Sequence, residues 1–164
     1  MLSKPLQDAV NEQIRNEIQS AYLYLAMSAY CQSQNLPGMG KWLRVQWQEE
    51  LNHGLKLFDF VHDRGGKVML HALDQPQAEY RSALDVFEHV YAHEQKVTAL
   101  INKLYDLAVK ENDHATQVEL QWFITEQVEE EKNASEIVTQ LKMLGTEGPA
   151  LFMLDRALGA RGGK

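Results

Sequence analysis

The sequence is short of several things, and each shortage removes a class of protein. Cysteine occurs once, at Cys31, so no intramolecular disulfide and no thiolate cluster for zinc or iron–sulfur is available. Basic residues are outnumbered: 16 Lys and Arg stand against 23 Asp and Glu, a formal net charge of -7. That argues against a basic nucleic-acid-binding face and favours the attraction of cations. No apolar run approaches the roughly 20 residues that span a bilayer. Residues 1–10 lack the basic and apolar regions of a secretory signal, so the expected compartment is the cytoplasm. Internal repeats, low-complexity tracts and linkers are absent too, which leaves one domain over residues 1–164.

What is present is helical periodicity in a chain long enough for a sizeable core, with 45% of its 164 residues hydrophobic. Residues 5–34 read as a first helix, with Val10, Ile14, Glu17, Ala21, Tyr24 and Ser28 along one stripe. Asn35-Leu36-Pro37-Gly38 breaks it and is short enough for an antiparallel neighbour. A second helix over residues 39–64 carries Leu43, Gln46, Glu50, His53, Leu57 and Phe60 on its seam, and ends at Gly65-Gly66. Residues 65–81 have no helical period and suit a crossover along the bundle, leaving helices two and three parallel. Ser82 and Asp85 suggest a capping box for the third helix. Its seam reads Phe87, Tyr91, Glu94, Thr98, Ile101, Tyr105, Ala108. A polar turn at residues 111–114 precedes a fourth helix over residues 115–144, with the seam Leu120, Phe123, Gln127, Glu130, Ala134, Ile137, Leu141, Leu144. Gly145 and Gly148 end it, and Pro149 opens a short, largely apolar last helix. That helix is expected to be buried, most simply against copies of itself; the alternative is that it folds back on its own bundle. The fold class is therefore all-α, a four-helix bundle with a long crossover and a short fifth helix.

Each long segment places metal-ligand-type residues on its buried seam near mid-helix: Glu17, Glu50 with His53, Glu94, and Gln127 with Glu130. Glu50-x-x-His53 puts a carboxylate and an imidazole one turn apart on one face. The same spacing at Glu111 and His114 lies in the turn and carries no such reading. With about 1.5 Å of rise per residue, mid-helix seam groups fall at a common level when the helices within each hairpin run antiparallel. Four buried carboxylates without counter-charge would be severely destabilising. Two divalent cations would match them, and carboxylates with a single imidazole suit iron or manganese. A di-iron carboxylate bundle uses one Glu from each of two helices and Glu-x-x-His from the other two. Here the fourth helix has Gln127-x-x-Glu130 instead.

These residues resemble the non-haem ferritins of bacterial type. The likeness rests on Glu17 followed by Tyr24, on Gln48-Glu49-Glu50-Leu51-Asn52-His53, on His93-Glu94-Gln95, and on Thr125-Glu126-Gln127-Val128-Glu129-Glu130-Glu131-Lys132. It implies a first iron on Glu17, Glu50 and His53, and a second on Glu50, Glu94 and Glu130 with Gln127 beside it, Glu50 bridging. It further implies a third iron site at Glu49, Glu126 and Glu129, with Tyr24 next to the pair as an electron donor. The implied activity is iron storage with ferroxidase chemistry, Fe(II) being oxidised by dioxygen or hydrogen peroxide inside a 24-subunit cage. Bacterioferritins carry a second Glu-x-x-His and a haem-ligating Met before the second-helix His; here Gln127, Glu130 and Asn52 hold those places, so no haem is expected. Rubrerythrins add a Cys-rich module that one cysteine cannot build.

Other readings stand beside these. Gln127 either binds metal or only hydrogen-bonds a ligand. Glu49, Glu126 and Glu129 read by spacing alone as a solvated acidic face. His89 and His93 are expected to face outward, and Trp122 to pack. The stretch from Glu111 to Glu119 either lines a cation pore or is a solvated loop. A purely structural bundle that assembles through residues 149–158 would show no metal affinity at its seam.

Overall fold

A computed structural model describes residues 1–145 and 147–162. Five helices follow in order: α1 (Lys4–Ser33), α2 (Pro37–Asp63), α3 (Ala83–Lys110), α4 (His114–Leu144) and α5 (Pro149–Gly159). Local hydrogen bonds and glycine stops account for their ends. Ser3 caps α1, accepting from the Leu6 amide, and Asp113 caps α4, accepting from Thr116. Ser82 caps α3 by accepting from Asp85, while the Asp85 carboxylate reaches back to the Arg81 amide at 3.0 Å. Gly65 takes φ 66° just past α2, a left-handed stop that costs glycine little.

α1 and α2 form one antiparallel hairpin, α3 and α4 another, and α1 packs against α3. The crossover runs along α1 as a strap. The Lys67 amide donates to Gln7, Asn11 bonds to Lys67 and Met69, Arg15 and Gln19 hold residues 72–74, and Tyr80 meets Tyr30 ring edge to face. A loop without secondary structure is thus satisfied by side chains of the helix beneath it.

The seams are as read on α1, and on α2 up to Phe60, which is only half-buried beside a buried Val61. On α3 the buried row is Phe87, Val90, Glu94, Val97, Ile101, Leu104, Ala108, not the row through Tyr91, Thr98 and Tyr105, all half-buried. Both rows share every second member, and the more apolar intermediates turn inward. On α4 the row is buried to Leu141, and Leu144 is exposed.

The apolar interior falls into two clusters. One gathers Tyr24, Met27, Leu43, Phe87, Ile137 and Leu141. The other gathers Leu6, Ile14, Leu57, Ile101, Leu120 and Phe123. Between them, Glu17, Glu50, His53, Glu94, Gln127 and Glu130 are all buried. The hydrophobic halves hold the fold and squeeze a polar layer between them.

α5 divides its apolar residues. Leu154 is buried in the core with Leu151 and Leu158 against it, while Phe152 and Met153 are exposed, 60% and 70%. The helix crosses the start of α2 so closely that a Cβ on Gly38 would overlap the Asp155 carbonyl oxygen at 1.7 Å. One face of the last helix therefore does fold back on its own bundle. Among the described residues, no helix is long and apolar enough to cross a membrane.

Candidate metal centre

The centre is assembled one helix at a time. From α2, Glu50 and His53 stand one turn apart, with His53 Nδ1 3.3 Å from Glu50 Oε2. Glu17 of α1 closes the group, its Oε2 3.9 Å from the same nitrogen. Ligand atoms of these three residues lie within 4.8 Å of one another, close enough to meet one ion. The imidazole is aimed by packing: its ring meets the edges of Trp122 and Phe123 of α4. Trp122 is 41% exposed and carries the Lys56 ammonium 5.2 Å from its ring centre, so it closes the site from solvent.

The other half comes from α3 and α4. Tyr24 of α1 donates its hydroxyl to Glu94 Oε1. Gln127 Nε2 donates to Glu94 Oε2 at 3.1 Å, to the Glu94 carbonyl at 3.2 Å and to Thr98 Oγ1 at 3.2 Å. Thr98 in turn donates to Glu131 Oε1 at 2.6 Å. The Gln127 amide thus acts as a donor toward Glu94. Glu130 Oε2 accepts from Gln46 Nε2 at 2.6 Å, and Glu17 Oε1 accepts from Gln13 Nε2 at 2.7 Å.

Electrostatics mark the layer as costly for the protein alone. Burial pushes the Glu50 carboxyl well above the ordinary carboxylate range, and Glu94, Glu17 and Glu130 push further. Burial lifts Glu94 to about 7, although hydrogen bonds from Tyr24 and Gln127 oppose it. Glu130 rises to about 8 through burial and the charges of Glu94 and Glu49, against Gln46 and Arg161. Burial, then Glu94 and Glu50, also raises Tyr24 well above 10. Among the described residues, no Lys or Arg pairs with Glu17, Glu50, Glu94 or Glu130. Two buried side-chain oxygens there have no hydrogen-bond partner, Glu50 Oε1 and Glu49 Oε1. An unpartnered buried carboxylate oxygen is expensive, and a hard cation is the partner that oxygen donors suit.

The remaining expectations fall out unevenly. Glu49 is nearly as buried as the central group, whereas Glu126 is half-buried and Glu129 exposed, so these three do not form a uniformly wet face. His89 does face outward. His93 does not: its Nε2 lies 2.7 Å from Ser20 Oγ, its ring meets the Tyr24 edge, and burial lowers its pKa to about 4. Glu111 ends α3 and His114 starts α4, so that pair shares no helix face. Sequence reasoning put Gln46 on the seam but gave it no task. It put Thr98 on the α3 seam, likewise without a task, and it missed Gln13 and Arg161. Gln13 had a signal, one turn before Glu17; Arg161, beyond the last helix, had none.

Comparison with known proteins agrees with this architecture. The Ferritin-like domain family matches residues 7–144. The bacterial non-heme ferritin of Bacteroides fragilis is 41% identical over 161 residues, covering 98% of this chain and all of that protein. That of Campylobacter jejuni is 38% identical over 156 residues, covering 95% and 93%. Among solved structures, an open pore ferritin from the archaeon Archaeoglobus fulgidus superposes with a TM-score of 0.98 at 49% identity, covering 99% of this chain and 100% of that one. An engineered closed form of the same ferritin gives 0.98 at 48%, covering both chains fully. With the fold, the buried carboxylate layer and these likenesses in agreement, the chain belongs to the ferritin family.

Proposed function

We propose that the buried layer is a ferroxidase centre and that the protein stores iron, Fe(II) being its substrate and cargo. The observation that carries this reading is the convergence of Glu17, Glu50, Glu94 and Glu130 from four helices with a buried Glu50 oxygen left unpartnered. Glu17, Glu50 and His53 hold one Fe(II). Glu50, Glu94 and Glu130 hold the other, so Glu50 serves both. Gln127 acts as a donor that fixes Glu94. Two divalent ions supply the four charges the carboxylates lack, which turns the most destabilising layer of the apo fold into its metal site. Each iron gives up one electron. Dioxygen takes two, with two protons, to leave as hydrogen peroxide, or hydrogen peroxide takes two, with two protons, to leave as two water molecules. Carboxylate ligands favour the ferric product because they match its higher charge. Tyr24, hydrogen-bonded to Glu94, is the residue that donates a further electron to the oxidant when more than the two from iron are needed.

Glu49, Glu126 and Glu129 form a third, flanking iron site. The ferric product is stored as an oxide mineral in a cytoplasmic cage of twenty-four copies, each a single ferritin-like domain, and no haem is used. The test is anaerobic Fe(II) titration of the apo protein followed by air, watched by absorbance. Two tight irons per chain and rapid oxidation are expected. A Glu50→Ala variant that binds and oxidises iron like the wild type would overturn the bridging assignment.

A further inference from the structure

Beyond the last helix the chain turns back onto α2. The Arg161 guanidinium donates from Nη2 to Glu49 Oε2 at 2.6 Å and from Nη1 to Gln46 Oε1 at 2.7 Å. It lies 4.6 Å from the Trp42 ring centre. Trp42, Gln46 and Glu49 are spaced by four and three, one stripe of α2, so a single arginine covers all three. Gln46 then donates from Nε2 to Glu130 Oε2 at 2.6 Å. The relay therefore runs from Arg161 through Gln46 to Glu130.

We propose that Arg161 is a positioning residue for the metal centre, fixing Glu130 through the Gln46 amide while holding the flanking Glu49 against entry of a cation. The proposal rests on the reading of Glu130 and Glu49 as iron ligands. The physical reason lies in the amide. The two ends of a glutamine side chain are nearly the same shape, but one accepts and the other donates. Arginine can only donate, so it forces Oε1 toward itself and turns the NH2 group toward the Glu130 carboxylate. Without it the amide is free to turn its oxygen on Glu130, which repels it and releases the ligand. At Glu49 the effect has the opposite sign. The guanidinium occupies one oxygen of a carboxylate whose other oxygen is buried and unpartnered, and its charge opposes any metal approaching there. One residue thus tightens the second central position and weakens the flank. Only arginine has the fork to reach both acceptors at once; lysine brings the charge without the paired donors.

The test uses the assembled apo protein, titrated anaerobically with Co(II), which is not oxidised under these conditions and whose visible bands report each binding environment. In the wild type two tight ions and a weaker third are expected. Arg161→Ala should weaken the second central ion by about 10- to 100-fold, the range for losing a group that orients a ligand. It should leave the first ion unchanged and bind the flanking ion more tightly. Arg161→Lys should weaken the second ion as alanine does while the flank stays weak, since the charge remains. Gln46→Leu should reproduce the loss at the second ion, and adding Arg161→Ala to it should cost that ion nothing more. Identical affinities in wild type and Arg161→Ala overturn the proposal. So does an equal weakening of all three ions, which would mark a scaffold role. A wild type that holds no pair of tight ions would overturn the ferroxidase reading itself, an outcome separable from either.

Discussion

The carboxylate of Asp155 on α5 caps a helix that is not its own. Its Oδ1 accepts from the Met39 amide at 2.8 Å and its Oδ2 from the Gly38 amide at 3.1 Å. α2 needs this, because Leu36 at its own cap position has no side chain that can accept a hydrogen bond. The first amides of a helix are otherwise orphaned, and a carboxylate also meets the positive end of the helix dipole. Asp155→Ala should therefore cost about 0.5–2 kcal/mol, the usual range for a lost N-cap, and should free α5. Urea unfolding gives the loss; faster hydrogen exchange at Gly38 and Met39 locates it. Gly38→Ala should dislodge the same helix by clash alone, with the carboxylate intact.

The exposed side of α5 is a separate matter. Phe152 and Met153 face away from the bundle that Leu154 enters. If the cage forms through this face, Phe152→Asp should shift sedimentation toward smaller species while the helical signal and thermal midpoint of the bundle hold. Leu154→Arg should instead unfold part of the bundle, since it places a charge in the core. Full-sized Phe152→Asp particles would show that assembly does not use this face.

The bundle, its crossover and its buried polar layer were legible because each rests on local chemistry. Glycine and proline mark the ends, and the polar groups near mid-helix, Glu17, Glu50 with His53, Glu94, and Gln127 with Glu130, stand out on largely apolar seams. The α3 seam was less legible, since Tyr91 and Val90 are both plausible inward residues and packing, not period, decides between them. The fate of α5 was half legible: an apolar helix must be covered, but only the tertiary crossing at Gly38 shows which face its own bundle covers. Arg161 and Asp155 were not legible at all. Each acts on α2 from more than a hundred residues away, and no spacing rule reaches that far.

The apo protein should lose stability as pH rises across the neutral range. Glu94 moves from its ordinary 4.5 to about 7 and Glu130 from 4.5 to about 8. A carboxyl whose folded pKa is raised gives a contribution that is full below the unfolded pKa and is lost as pH climbs through the folded one. These two therefore favour the folded apo state below about pH 4.5 and cease to do so between roughly 7 and 8. Urea unfolding from pH 5 to 9 should show the decline in the wild type and a smaller one in Glu130→Gln. Metal binding must expel those protons, so affinity should rise over the same window and calorimetry in buffers of different ionisation heat should count the protons released. Affinity independent of pH from 5 to 9 would contradict this.

The last prediction separates the central pair from the flank. Glu49, Glu126 and Glu129 each precede a central-layer residue by one position, and one step turns a side chain by about 100° around the helix. The flanking group thus lies beside the centre and shares α2 and α4 with it. Its members differ in burial: Glu49 is 6% exposed while Glu129 is open to solvent. A metal there keeps more water and is held in a higher dielectric, so it binds less tightly and fills after the pair. Changing Glu49, Glu126 and Glu129 to Ala together should leave two tight irons and rapid first oxidation. Later uptake, or the oxidant consumed per iron, should change. Glu50→Ala should do the reverse, removing both tight ions because one carboxylate serves two, while His53→Ala weakens mainly the first. Glu50→Ala should also make the apo fold more stable, since a buried carboxyl with one unpartnered oxygen is gone. Stopped-flow oxidation over successive iron additions, read beside crystals soaked in iron, decides the matter. Soaks that fill only the central pair at saturation, together with a triple variant that turns over like the wild type, would reduce the three flanking glutamates to an acidic surface.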